Sequence, residues 1–391
     1  MRIAEIQRAL KDEGLDGWLF FDHHKRDPLA YRVLGFDVKN APSRRWYYLV
    51  PAEGEPRKLV HKIEPGMLDA LPGGKTSYAG WAQQAASLAG LLTGCRRIAM
   101  QYSPKCAVPY VAMVDAGTVE LVRGLGVDVV TSADLVQYFE ARWNAAKLES
   151  HLEAGRRVDD VLRSAFARIG DEHRAGRAPT EFQIQQFIRS AFEANGLFAD
   201  HGPIVGVNEH SADPHFDPAP EIDRPIRRGD WLLIDLWAKL TEPGSVYYDI
   251  TWTGYCGAEA PAEHVRIFDI VTGARDRAVE CVRSACEQGR TLHGFEVDDA
   301  CRGHIAAHGY GEYFFHRTGH SIGEEVHGTG ANMDNLETHD ERRVIPWTCF
   351  SVEPGIYLET FGVRSEVNVF VGEDGARVTG AVQTRPVLIG A

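Results

Sequence analysis

No stretch of the sequence approaches the roughly 20 consecutive apolar residues a membrane-spanning helix needs. The opening residues, Met1-Arg2-Ile3-Ala4-Glu5, are charged too early and too evenly for a secretory signal, so a cytoplasmic location is expected. Cysteine is scarce: there are seven (Cys95, Cys106, Cys256, Cys281, Cys286, Cys301 and Cys349), an odd number with no CxxC pair. That pattern argues against both a disulfide framework and a thiolate zinc site. Any metal would have to be held by carboxylates and histidines. Positive charge is also short, with 42 Lys and Arg against 55 Asp and Glu, for a net charge of −13. Residues 1–143 carry +2 and the remainder −15. Such a surplus speaks against nucleic acid as a partner. Phosphate loops are missing as well. Gly74-Lys75-Thr76 hints at one, but the template's first glycine falls on Asp69, and no GxGxxG follows a strand.

With 391 residues, 44% hydrophobic and 25% charged, the chain is expected to form two globular domains. Ile3, Ile6 and Leu10 begin an amphipathic helix. Gly17–Phe21, Trp46–Val50, Arg97–Met100 and Val127–Val130 read as strands, so residues 1–143 are expected to form an α/β domain. From Asn144 the pattern is helical for about 50 residues. It includes a capping box at Thr180–Gln183, and Asn195-Gly196 ends it. Residues 144–391 then alternate again. Strands are predicted around Trp231–Trp237, Phe350–Glu353 and Val363–Val369, and helices over Glu263–Gln288 and Val297–His308.

Four carboxylates interrupt these apolar strands: Asp235 in Leu-Ile-Asp-Leu-Trp, Asp249 in Tyr-Tyr-Asp-Ile-Thr, Glu353 in Ser-Val-Glu-Pro-Gly and Glu366 in Arg-Ser-Glu-Val. Burying an unpaired ionised carboxylate costs several kcal/mol or more, and cations resolve that conflict. His320, between glycines in Thr-Gly-His-Ser-Ile-Gly, completes an Asp2Glu2His set. Oxygen-rich donors with one imidazole suit Mn, Co, Fe or Zn. Five ligands exceed what one metal usually takes, and two ions can share bridging carboxylates. Arg364, two residues before Glu366, is predicted to face the same side of a strand. There it would either hold an anionic substrate group or form a structural pair.

This ordered series, with Val-Glu-Pro-Gly-Ile-Tyr and Arg-Ser-Glu, resembles the pita-bread metallopeptidases over about residues 144–391. The N-terminal part resembles the accessory domain of the proline-specific branch and of creatinase. The resemblance implies an α+β architecture: an N-terminal creatinase-like α/β domain (1–143) and a C-terminal catalytic pita-bread domain (144–391). It implies two divalent metals, Mn first, with Co or Zn as alternatives. Asp235 would bind one ion, His320 and Glu353 the other, with Asp249 and Glu366 bridging. Glu353 would also move protons, while His215 and His327 would assist the reacting carbonyl. Arg364 and His316 would contact substrate. His210, five residues before His215, competes for its place.

The implied activity is hydrolysis of Xaa-Pro bonds, in dipeptides first and in longer peptides as the alternative, by a homodimer. A metal-free amidinohydrolase and a non-catalytic binding protein share the architecture but should lack the ligands. One spacing and two positions depart from the family pattern. The two aspartates are 14 residues apart instead of eleven, Val246 replaces a tyrosine, and Trp252 replaces an arginine.

Overall fold

The computed structural model describes residues 2–39 and 41–390. It divides into two compact units, Met1–Glu140 and Ala141–Ala391. In the first, the strand Gly17–Asp22 is buried throughout. Trp18 and Phe20 enter one core with Trp46 and Tyr48, while Leu19 and Phe21 enter another with Tyr47 and Ile98. A strand that is apolar on both faces belongs mid-sheet with helices on either side. It lies fourth of six, in the order Gly74–Tyr78, Arg57–His61, Trp46–Pro51, Gly17–Asp22, Arg97–Met100, Asp128–Thr131. It runs antiparallel to Trp46–Pro51 and parallel to Arg97–Met100.

The second unit opens with helices Ala145–Arg174 and Glu181–Ala194. Asn144 caps the first by accepting from Lys147 N, and Thr180 and Gln183 cap the second reciprocally. Both helices pack on the antiparallel hairpin Trp231–Leu240/Tyr248–Tyr255, through Leu232, Ile234, Leu236 and Ala238. A similar arrangement follows. Helices Ala262–Glu287 and Gly294–Ala307 cover a sheet that includes Thr348–Val352 and Val367–Gly372. Asn368 joins the two sheets: its Oδ1 accepts from Asp249 N at 3.1 Å and its Nδ2 donates to Asp249 O. No helix of the described residues is long and apolar enough to cross a membrane.

Two expectations are corrected. The helix predicted from Val297 begins at Gly294, because His293 accepts from the Glu296 backbone while the Glu296 carboxylate accepts from His293 N. The strand predicted over Val363–Val369 is broken. Gly362–Arg364 pairs with Gly355–Tyr357, and Val367–Gly372 pairs with Thr348–Val352. Arg364 and Glu366 therefore lie on either side of a strand break, although both side chains reach Thr251 Oγ1.

Candidate active site

Register places the first two carboxylates. Across the hairpin Asp235 lies opposite Thr251 and Trp237 opposite Asp249, so these four share one face, away from the helices. The longer interval between the aspartates is absorbed by the loop and leaves that register intact. Glu353 follows the strand Thr348–Val352, which stops there because Pro354 has no N–H to continue the ladder. Glu366 occupies the strand break. Its N–H donates to Thr251 O at 3.2 Å, and its Oε2 accepts from Thr251 Oγ1 at 2.9 Å. His320 is pinned to the same strand: its N–H donates to Ser351 Oγ at 3.0 Å and its carbonyl accepts from Ser351 N at 2.9 Å. A Cβ on Gly319 would stand 1.8 Å from Ser351 O, so glycine is required at that position.

Asp249, His320 and Glu366 each offer a donor atom within 4.8 Å of the other two. His320 Nε2 lies 3.5 Å from both Asp249 Oδ2 and Glu353 Oε1. Its Nδ1 faces the Ser321 carbonyl at 3.2 Å, which assigns the proton to Nδ1 and leaves the Nε2 lone pair toward the carboxylates. Asp235 joins through Arg364, whose side chain is 3% exposed. Nη2 donates to Asp235 Oδ2 at 2.5 Å, Nε to Thr251 Oγ1 at 3.0 Å, and Nη1 to the Tyr357 hydroxyl at 3.2 Å and Pro214 O at 3.3 Å. All three nitrogens thus have protein partners, with four of the five N–H groups engaged.

His316 reaches the site through Tyr357. Burial and the Arg364 charge push its pKa down to about 3, so the ring is neutral at ordinary pH. Its Nδ1 meets Arg317 O and its Nε2 the Tyr357 hydroxyl, both at 2.7 Å. Proton directions then follow: Arg364 donates to Tyr357, Tyr357 to His316 Nε2, and His316 Nδ1 to the carbonyl. His327 stands edge-to-face on His320, with ring centroids 4.4 Å apart. His215 is exposed and follows Pro214, whose carbonyl takes Arg364. Its rival His210 is drawn elsewhere: Nδ1 meets the buried Glu181 carboxylate at 2.9 Å, and the ring stacks on Phe216. Sequence inspection missed Thr251, Ser351, Tyr357 and Asn368. Strand period points to Thr251, two residues past Asp249; nothing local marks the others.

The donor set fits a divalent metal. Burial and the neighbouring carboxylates hold the Asp249 and Glu366 carboxyls well above the usual range; burial raises Glu353 too. Asp235 Oδ1, Asp249 Oδ1 and Glu366 Oε1 are buried with no hydrogen-bond partner among the described residues. Three orphaned carboxylate oxygens in one buried cluster are what a cation would satisfy.

The description "Metallopeptidase family M24" belongs to a family model that matches residues 149–373. The chain belongs to metallopeptidase family M24. Relatives of this M24 chain include the probable dipeptidase PepE of Mycobacterium tuberculosis, 31% identical over 257 residues, or 66% of this chain and 63% of the relative. The Xaa-Pro dipeptidase of Pyrococcus furiosus is 36% identical over 176 residues, 44% of this chain and 45% of the relative. The chain thus matches less than two thirds of the length of these curated relatives. Its structure is similar to that of dipeptidase PepE from Mycobacterium ulcerans, at a TM-score of 0.68 and 26% identity over 99% of this chain and 97% of that one. Prolidase from Thermococcus sibiricus shares the fold, with a TM-score of 0.59 at 22% identity over 99% and 98% of the two chains. The M24 architecture is α+β, with an N-terminal domain followed by a pita-bread domain. M24 enzymes are metallopeptidases, and Asp249, His320 and Glu366 form a group able to hold a metal in this chain.

Proposed function

We propose that this M24 chain hydrolyses the Xaa-Pro bond of dipeptides with two divalent metals, Mn ahead of Co or Zn. Residues 144–391 would be catalytic and 1–143 accessory, in a cytoplasmic homodimer. The observation that carries the catalytic reading is the convergence of four carboxylates and His320, with three buried carboxylate oxygens lacking partners among the described residues. Asp235, Asp249, His320, Glu353 and Glu366 would hold the metals. Bound there, the ions supply Lewis-acid polarisation and make water nucleophilic near neutral pH. Glu353 takes the water's proton and delivers it to the departing proline nitrogen. His327 and His215 donate to the carbonyl oxygen as it gains charge. Arg364 acts as a positioning residue, holding Asp235 and, through Tyr357, His316. The dipeptide preference is supported by the relatives' names, not by Arg364.

A second reading, an aminopeptidase acting on longer Xaa-Pro peptides, is favoured by the hydrogen bonds that turn Arg364 toward Asp235, Thr251 and Tyr357. Metal-stripped protein restored with Mn²⁺ should be offered Ala-Pro and Ala-Pro-Ala. Cleavage of the dipeptide alone supports the first reading, and preference for the tripeptide replaces it with the second. No cleavage of either by protein carrying two metals rejects both. Glu366→Ala should lose metal and activity together. An active, metal-replete Glu366→Ala variant would reject the ligand assignment.

A further inference from the structure

Beside the ligand cluster lies an acidic corner that the proposed hydrolysis leaves unused. Trp237, opposite Asp249 and on the face of Asp235, is 8% exposed. Its Nε1 donates to Asp200 Oδ1 at 3.1 Å. That oxygen also meets His201 N at 3.1 Å and His201 Nδ1 at 2.9 Å, and the His201 ring stands edge-on to the indole at 4.9 Å. Asp200 Oδ1 thus accepts from Trp237 Nε1 and His201 N and faces His201 Nδ1, while Oδ2 meets no partner among the described residues and the side chain is 46% exposed. No Lys or Arg pairs with it among the described residues. The nearby Lys239 is engaged by the Glu324 carbonyl and lies 5.0 Å over the Tyr247 ring. Negative charge gathers here: after burial, Asp200 and Glu325 help push the Tyr247 phenol up to about 12.

We propose that Asp200, with Trp237 as its wall, forms a subsite for a cationic side chain, lysine or arginine, on the residue preceding the scissile bond. This rests on the peptidase reading. The alkyl stem would lie along the indole and the charged head would reach the free Asp200 oxygen. Asp200→Asn keeps an acceptor for Trp237 while it removes the charge and turns the free oxygen into an amide NH2. With metal-replete protein, kcat/KM should favour Lys-Pro over norleucine-Pro by about tenfold. Asp200→Asn should lower Lys-Pro turnover about tenfold and leave norleucine-Pro within about twofold. Equal loss on both substrates would mean that Asp200 only props Trp237, and would overturn the proposal, as would no preference in the parent protein. Calorimetric binding of L-lysine against L-norleucine gives a readout without turnover. If no Xaa-Pro dipeptide is cleaved, the activity reading fails, while tighter lysine binding that Asp200→Asn abolishes still supports the subsite. Equal binding of the two amino acids rejects it.

Discussion

Arg364 shows how one buried side chain can tie a site together. A guanidinium presents donors in a rigid fork, and here that fork spans Asp235, Thr251 and Tyr357 at once. Lysine keeps the charge but can satisfy only part of the set. Arg364→Lys is therefore expected to weaken metal binding about 10–100-fold, as loss of a group that orients a ligand typically does. Arg364→Met leaves Asp235 buried without its cation and should cost about 3–5 kcal/mol. Metal titration and KM, measured together, check the assignment. If Arg364→Lys left metal affinity intact and raised only KM, the arginine would be a substrate contact after all.

Among the elements, the close crossing of Thr318–His320 over the strand Thr348–Val352 sets where the only imidazole of the proposed ligand set enters. The bond pattern across Gly319, to Met333 on one side and Ser351 around His320 on the other, leaves no space for a methyl group. Gly319→Ala should force the backbone apart and cost about 3 kcal/mol or more, against a surface Gly→Ala change worth a few tenths. Thermal unfolding and metal content report it. A variant as stable and metal-loaded as the parent would show that the crossing yields freely. The strand break at Ser365-Glu366 matters in the same way. Period-two logic placed Arg364 and Glu366 on one continuous strand, but they end one hairpin and precede another sheet's strand, and it is Thr251 Oγ1, from a third strand, that both side chains reach.

Across the whole molecule, the seven cysteines are all free. Cys106 is exposed, Cys95, Cys281 and Cys286 are partly buried, and Cys256, Cys301 and Cys349 are buried. Burial pushes the Cys256 and Cys301 thiols up to about 12, and Cys349 is raised as well, so none of these three forms a thiolate at ordinary pH. A thiol reagent should titrate one fast group in the native protein and seven after denaturation. Cys106→Ser should remove the fast phase, and a fast phase surviving that change would show that the partly buried Cys95, Cys281 or Cys286 is open to the reagent. Reductant should leave the melting temperature unchanged, since there is no disulfide to lose.

How much of this was legible beforehand depends on how local each signal is. A carboxylate inside an apolar strand is a conflict visible within five residues, so Asp235, Asp249, Glu353 and Glu366 stand out in the sequence. The two-part organisation is visible too, because hydrophobic periodicity is a property of short windows. Partner choice is not local. Arg364 meets Asp235 across 129 residues, His316 meets Tyr357 across 41, and Trp237 meets Asp200 across 37. Each pairing depends on strand register and on where a strand breaks, which the packed sheets decide together. The sequence by itself determined which residues had to find a counter-charge. Only the tertiary structure decided which neighbour answered each of them, because that follows from distances between elements, not from spacing along the chain.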